Sequence, residues 1–188
     1  MLLRIARRID PLLSQLAHPT MVEELTPQSL VEAGAEGVIL DHDGILSAMG
    51  AEGPDDTGRA LLEALVARFG HGKIYILSNS VSARSARFDF YRGQWPGVGY
   101  IMAARKPSAA GLRQVESLSG LPASKIAVVD DGVLTGILMA VENGAIPVYA
   151  LRRELRESAT ERFFRRLTTG VQLALVRLVA AMTGARAK

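Results

Sequence analysis

Three short apolar runs, each closed by a polar residue, constrain this chain more than any other feature. Gly37-Val-Ile-Leu-Asp41, Lys73-Ile-Tyr-Ile-Leu-Ser78 and Lys125-Ile-Ala-Val-Val-Asp130 share the design, and Val98-Gly-Tyr-Ile-Met102 and Ala145-Ile-Pro-Val-Tyr149 are weaker copies. Continuous runs of this kind, rich in Val and Ile, suit strands buried on both faces of a parallel sheet. Helical patterns lie between them at about 55–69, 80–92, 107–119 and 133–142. Strands alternating with helices of that length predict βαβ units. The expected fold is α/β: a three-layer α/β/α sandwich around a doubly wound, Rossmann-like parallel sheet.

At 188 residues, one such core fills most of the chain. The remainder is at the ends. Residues 2–16 carry apolar side chains at helical spacing with arginines between them, and Pro11 predicts a kink or a restart. Thr26-Pro27 predicts an N-cap and first helical residue, with Gly34 closing that helix. Beyond Tyr149, residues 151–182 predict one long helix or two, with a break near Thr168-Thr169-Gly170. Leu151, Leu155, Ala159, Phe163, Phe164, Leu167, Val171, Leu175, Leu178 and Val179 mark one face, and Arg152, Arg153, Arg156, Arg162, Arg165 and Arg166 cluster ahead of its most apolar part. The expected organisation is a basic amphipathic helix at 1–19, an α/β core at 20–150 and a basic amphipathic segment at 151–188.

Charge follows the same division. The net +3 is made of +2 over residues 1–17, −5 over 18–150 and +6 over 151–188. An acidic centre between basic ends points to an anionic partner. The alternative is a set of solvated helix faces that pack on the sheet or dimerise. With aromatics at 5% and none interleaved as stacking platforms, no nucleic acid is expected. No continuous apolar segment is long enough for a secretory signal or a spanning helix. The absence of cysteine excludes disulfides, thiolate metal sites and a cysteine nucleophile.

In open α/β sheets, ligands bind beyond the carboxyl ends of the strands. Asp41-His42-Asp43-Gly44, Ser78-Asn79 and Asp130-Asp131-Gly132 fall at such ends, and Lys106-Pro107 opens the helix that follows another strand. Neighbouring carboxylates repel unless a cation sits among them. Oxygen ligands without cysteine or paired histidines suit Mg²⁺. Carboxylate, Mg²⁺, lysine and hydroxyl around one point form a phosphoryl-transfer arrangement.

The order Asp-x-Asp, Ser, Lys-Pro, Asp-Asp resembles the haloacid dehalogenase superfamily of phosphohydrolases over roughly residues 20–150. More closely, the chain resembles the capless branch that contains phosphatidylglycerophosphate phosphatases. The stretches that carry this are Leu30-Val-Glu-Ala-Gly-Ala-Glu-Gly37 leading into Val38-Ile-Leu-Asp41, then Leu77-Ser-Asn79, Ala104-Arg-Lys-Pro107, Leu134-Thr135 and Asn143-Gly144. The resemblance implies Asp41 as nucleophile, through an aspartyl-phosphate, and Asp43 as acid and base. It implies Ser78 on the phosphoryl oxygens and Lys106 neutralising the phosphate. Mg²⁺ would be held by Asp41, Asp43 (through its main-chain carbonyl), Asp131 and Asp130. His42, Gly44, Asn79 and Arg105 would line the substrate site, the His42 side chain itself pointing away. The family usually has a hydroxyl residue where Ile45 stands and often an aspartate where Gly136 stands.

Only 34 residues separate Asp43 from Ser78 and 27 separate Ser78 from Lys106, each filled by one helix and one strand, so no cap domain is expected. An open site suits a phosphate on something large. The basic ends favour a phosphorylated, lipid-linked substrate on an anionic membrane surface, with the enzyme bound peripherally at the cytoplasmic face of the inner membrane. Two alternatives stand beside this: hydrolysis of a soluble sugar, nucleotide or protein phosphate, and a core without turnover that serves as a binding scaffold.

Overall fold

The computed structural model describes residues 1–79, 84–102, 105–155 and 157–185, without the side chains of residues 84 and 85. The start of the helix expected at 80–92, Ala104 of the Lys-Pro stretch, Arg156 and the last residues of the C-terminal segment lie outside the described residues.

Six parallel strands form one sheet: β1 (Thr20–Met21), β2 (Gly37–Leu40), β3 (Ile74–Ser78), β4 (Gly99–Met102), β5 (Ile126–Asp130) and β6 (Ile146–Leu151), in the order β1-β6-β5-β2-β3-β4. The runs are apolar throughout because both faces are covered. Val38, Leu40, Ile74, Ile76, Ala127 and Val129 face one core, and Ile39, Tyr75, Leu77, Ile126 and Val128 face the other. Helices α3 (Pro27–Glu32), α4 (Asp56–Phe69) and α5 (Arg84–Gln94) cover the first face. The second face carries α6 (Ala110–Ser119) and α7 (Leu138–Asn143), the latter reached through a π-helical turn at Val133–Ile137. Helices α1 (Leu2–Arg7), α2 (Ile9–Ala17) and α8 (Ala159–Thr183) close a third apolar cluster against that turn. The three-layer α/β sandwich expected from the runs is therefore present.

Several details differ from the sequence expectation. The N-terminal helix breaks at Arg8, not at Pro11. Pro11 falls in the first turn of α2, where its missing N–H has no intrahelical acceptor to lose. Residues 159–183 form one helix that continues through Gly170. Its start is fixed by a capping box, in which the Ser158 hydroxyl accepts the Glu161 N–H and the Glu161 carboxylate accepts the Ser158 N–H. The apolar face expected along this helix divides. Val176, Val179 and Ala180 are buried against Ile5, Ile9 and Leu12, whereas Phe163, Phe164, Leu167, Val171 and Leu178 stay exposed. Among the described residues, no helix is long and apolar enough to cross a membrane.

The chain runs from β2 outward through β3 and β4, then crosses to the other side of β2 for β5 and β6. The switch point therefore falls between the carboxyl ends of β2 and β5. A ligand site is expected there.

Candidate functional site

Asp41 follows β2, and Asp130 and Asp131 close β5, so the sheet register delivers three carboxylates to the switch point. One oxygen of each lies within 4.8 Å of the others. Lys106 arrives from the loop after β4. Its Nζ lies 2.9 Å from Asp41 Oδ1 and 2.6 Å from Asp130 Oδ2, with the ammonium almost fully buried. Asn79, just past β3, holds that loop in place: its Oδ1 accepts the Lys106 N–H at 2.8 Å and its Nδ2 donates to the Lys106 carbonyl at 3.1 Å.

The four groups do not balance in charge. Burial would lower Lys106, but Asp130 and Asp41 outweigh it and hold the ammonium protonated well above the ordinary lysine range. Burial pushes Asp41 up to about 7 against the pull of Lys106, and the charge of Asp130 adds to the rise. Burial, with the charges of Asp130 and Asp41, pushes Asp131 well above its ordinary value. Lys106 pairs with two of the three carboxylates, Asp41 and Asp130, and a divalent cation would neutralise the remainder. The all-oxygen donor set fits a hard cation. The three aspartates thus form a cluster able to hold a metal ion.

Within the cluster the carboxylates differ. Asp130 is 1% exposed and both its oxygens are taken, Oδ2 by Lys106 and Oδ1 by the Gly132 N–H at 2.7 Å. Asp131 and Asp41 line the cleft above it. Asp41 Oδ1 accepts the His42 N–H at 2.8 Å as well as Lys106, and Oδ2 carries no hydrogen bond among the described residues. The two glycines beside the cluster make room for it. Gly44, at φ +89°, passes so close to Asp131 that a Cβ there would overlap the carboxylate, and a Cβ on Gly136 would overlap that of Asp130. The space beside Gly136 is filled by the Asp130 carboxylate.

Asp43 stands apart from the three. Both its oxygens bond to Arg87 of α5: Oδ1 accepts Nη2 at 2.7 Å and Oδ2 accepts Nη1 at 3.0 Å. Arg87 is fully buried, and it also donates to the Ala51 carbonyl at 2.7 Å and to Ser78 Oγ at 3.2 Å. Burial raises Asp43, but His42 and Arg87 outweigh it and hold the carboxyl well below the usual carboxylate range. Ser78 is thereby tied to the Asp43–Arg87 pair and is itself buried, outside the lining of the cleft. His42 points into the core, as its alternation with the two aspartates implied, and its ring meets Tyr91 edge-on at 5.8 Å. Ile45 is fully buried in the core. Arg105 is exposed at φ +50° and also falls outside the lining. Of the expected site residues, the cleft brings together Asp41, Asp43, Gly44, Asn79, Lys106 and Asp131.

The cleft, about 410 Å³, has a wall that sequence reasoning missed. Arg165, Thr168, Thr169 and Gln172 of α8 line it, with Glu157 just before the helix. Gln172 Oε1 accepts the Leu134 N–H at 2.8 Å, which pins α8 to the turn after β5. The signal was present as a polar stripe at helical spacing on a helix otherwise rich in Leu, Phe and Val. Arg87 had no such signal; it is one arginine in a charged helix, 44 positions from its partner.

Comparison of the chain with protein-family models, with curated proteins and with solved structures gave no significant match.

Proposed function

We propose that this chain is a Mg²⁺-dependent phosphomonoester hydrolase of the haloacid dehalogenase type, acting on phosphatidylglycerophosphate to release phosphatidylglycerol. The observation that carries the reading is the sharing of one buried ammonium, Lys106, between Asp41 and Asp130, with Asp131 completing a carboxylate cluster at the mouth of a cleft. An ordinary structural ion pair would need one carboxylate, not three.

In this reading Asp41 Oδ2 attacks phosphorus, the bond from phosphorus to the glycerol oxygen breaks, and the phosphoryl group rests on Asp41 as a mixed anhydride. Water then attacks that phosphorus, releasing phosphate and restoring the carboxylate. Lys106 holds Asp41 in line and offsets charge on the phosphoryl oxygens. Asp41 and Asp131 would hold Mg²⁺, with Asp130 supporting them through Lys106, and the bound ion would supply positive charge to the phosphoryl oxygens. Asp43 is ionised while paired with Arg87. An incoming phosphate dianion beside it raises its affinity for a proton, which it passes to the leaving glycerol oxygen and recovers from the attacking water. Ser78 and Arg87 hold Asp43 in place.

The lipid substrate is supported by the exposed surface of α8. Phe163, Phe164, Leu167, Val171, Leu178 and Met182 are at least half exposed, as are Leu2 and Leu3 of α1. Exposed Arg162 and Arg166 flank the phenylalanines. An apolar strip edged by arginines suits the headgroup boundary of an anionic bilayer. The test is phosphate release from phosphatidylglycerophosphate, phosphatidic acid and soluble phosphate esters, each with Mg²⁺ and with chelator. Preference for the first, abolished by chelator, is the expected result. Equal rates on soluble esters would remove the lipid reading, and no release from any of them would remove the phosphatase reading.

A further inference from the structure

Glu157 and Arg165 form an ion pair unlike the others on the surface. The Glu157 side chain is 1% exposed, and that of Arg165 is 30% exposed. The guanidinium grips the carboxylate through two of its nitrogens, Nε at 2.8 and 3.0 Å from the two oxygens and Nη2 at 3.0 Å. Both residues line the cleft above Asp41 and Asp131. Burying a carboxylate is costly unless its hydrogen bonds are satisfied. A pair that served only solubility would leave Glu157 in water. The arrangement instead fixes the plane of the Arg165 guanidinium, and it leaves Nη1 without a partner among the described residues.

That free donor edge stands on the α8 wall, while the phosphoryl-transfer groups stand on the sheet. Lys106, Asp41 and Asp131 come from the strand ends; Arg165, Thr169 and Gln172 come from the helix. The phosphoryl group being transferred already has Lys106 beside it. The Arg165 guanidinium comes from the helix wall, near enough to Asp131 for the two charges to act on each other, and is placed for a second anion on the same molecule. Arginine suits the task, because its planar fork matches the oxygens of a phosphate.

We propose that Arg165 is the specificity residue of the site, taking through Nη1 a second anionic group of the substrate, a phosphate diester about one glycerol unit from the phosphomonoester, with Glu157 as its positioning residue. This rests on the phosphatase reading above and deepens it. The site then selects esters that carry two separated anions over esters that carry one. The same chemistry is offered by a lipid headgroup and by its deacylated, soluble form.

The test compares two soluble substrates in Mg²⁺, which removes any contribution from membrane binding. One is the deacylated headgroup, with a phosphomonoester and a phosphodiester; the other is glycerol 3-phosphate, with the monoester alone. Wild type is expected to prefer the first. In Arg165→Met that preference, as a ratio of kcat/KM values, falls about 10- to 100-fold, the worth of a charged hydrogen bond. The loss falls on KM more than on kcat. Arg165→Lys recovers part of it, and Glu157→Gln raises KM for the headgroup in the same direction. Circular dichroism checks that each variant is folded. A second arm presents the intact lipid in vesicles; a matching drop there assigns the same contact to the lipid headgroup. An unchanged ratio in Arg165→Met, or equal losses on both soluble substrates, overturns the proposal. If wild type hydrolyses neither soluble substrate nor the intact lipid in vesicles, the phosphatase reading fails by itself. Equilibrium binding of the deacylated headgroup then decides the role of Arg165: weakening by the same factor in Arg165→Met upholds it and unchanged binding overturns it.

Discussion

Arg87 holds both carboxylate oxygens of Asp43, at 2.7 and 3.0 Å, from a position with no exposure to solvent. The guanidinium also ties Asp43 to Ser78 and to the Ala51 carbonyl, so one buried side chain fixes the position of a carboxylate that lines the cleft. Removing it strands a carboxylate that burial already disfavours. Breaking a buried pair in this way typically costs about 3–5 kcal/mol. Arg87→Met is expected to lose stability on that scale, measured as a drop in the urea midpoint at unchanged slope. A loss below about 1 kcal/mol would mean that the pair is solvated and contributes little.

Gly136 makes room for Asp130. A methyl group there would press on the Asp130 carboxylate, and overpacking of a fixed neighbour costs about 1–3 kcal/mol. Gly136→Ala should therefore destabilise the wild type by that amount but cost less than half as much in an Asp130→Gly background. The check is a double-mutant cycle by chemical denaturation. Additive losses would show that the two positions do not compete for space.

Metal binding and protons should compete at the carboxylate cluster. Burial raises Asp41 to about 7 and carries Asp131 in the same direction. A folded-state value above the unfolded one means that the metal-free protein keeps protons that the unfolded chain gives up near pH 4. Its stability therefore falls as pH rises from about 4 to about 7. Mg²⁺ bound at the cluster would replace those protons, so its stabilising effect should grow with pH. A saturating concentration is expected to raise the melting temperature by about 5 °C at pH 8 and by much less at pH 5.5. Thermal unfolding in Mg²⁺ and in chelator measures both shifts. Equal shifts at the two pH values would exclude direct competition.

The exposed strip of α8 gives a separate expectation. Phe163 and Phe164 are 63% and 53% exposed, and neither is needed to close the third apolar cluster. Replacing both by serine should leave folding intact and weaken co-sedimentation with anionic vesicles at least about tenfold, from the apolar area withheld from the bilayer. Unchanged co-sedimentation would place the contact elsewhere.

The parts of the fold that follow from local pattern were legible in the sequence. Gly37–Leu40, Ile74–Ser78 and Ile126–Asp130 declared themselves because strands covered on both faces have no polar positions to interrupt them. Strand β1 did not, since its two residues at the sheet edge carry no apolar run. The carboxylate cluster was legible for a related reason: strand ends of a doubly wound sheet converge, so the acidic residues after β2 and β5 had to meet near the switch point. What lay outside that logic was missed. Whether Arg87 reaches Asp43 depends on the rotation of α5 against the sheet, and whether Arg165 faces the cleft depends on where α8 docks. Neither is encoded in residues adjacent in the chain. The long C-terminal helix illustrates the limit, because one amphipathic pattern had to serve three surroundings: the cleft, the core and solvent.

The most direct test of the account is Mg²⁺-dependent release of phosphate from phosphatidylglycerophosphate by the wild type and by Asp41→Asn. The amide keeps the size of the side chain and its place beside Lys106 and the His42 N–H, but it removes the carboxylate proposed as nucleophile. The account predicts that Asp41→Asn folds, melts within a few degrees of the wild type, and loses at least about 10³-fold in rate, the scale seen when a covalent nucleophile is removed. A folded Asp41→Asn variant that releases phosphate at the wild-type rate would contradict it.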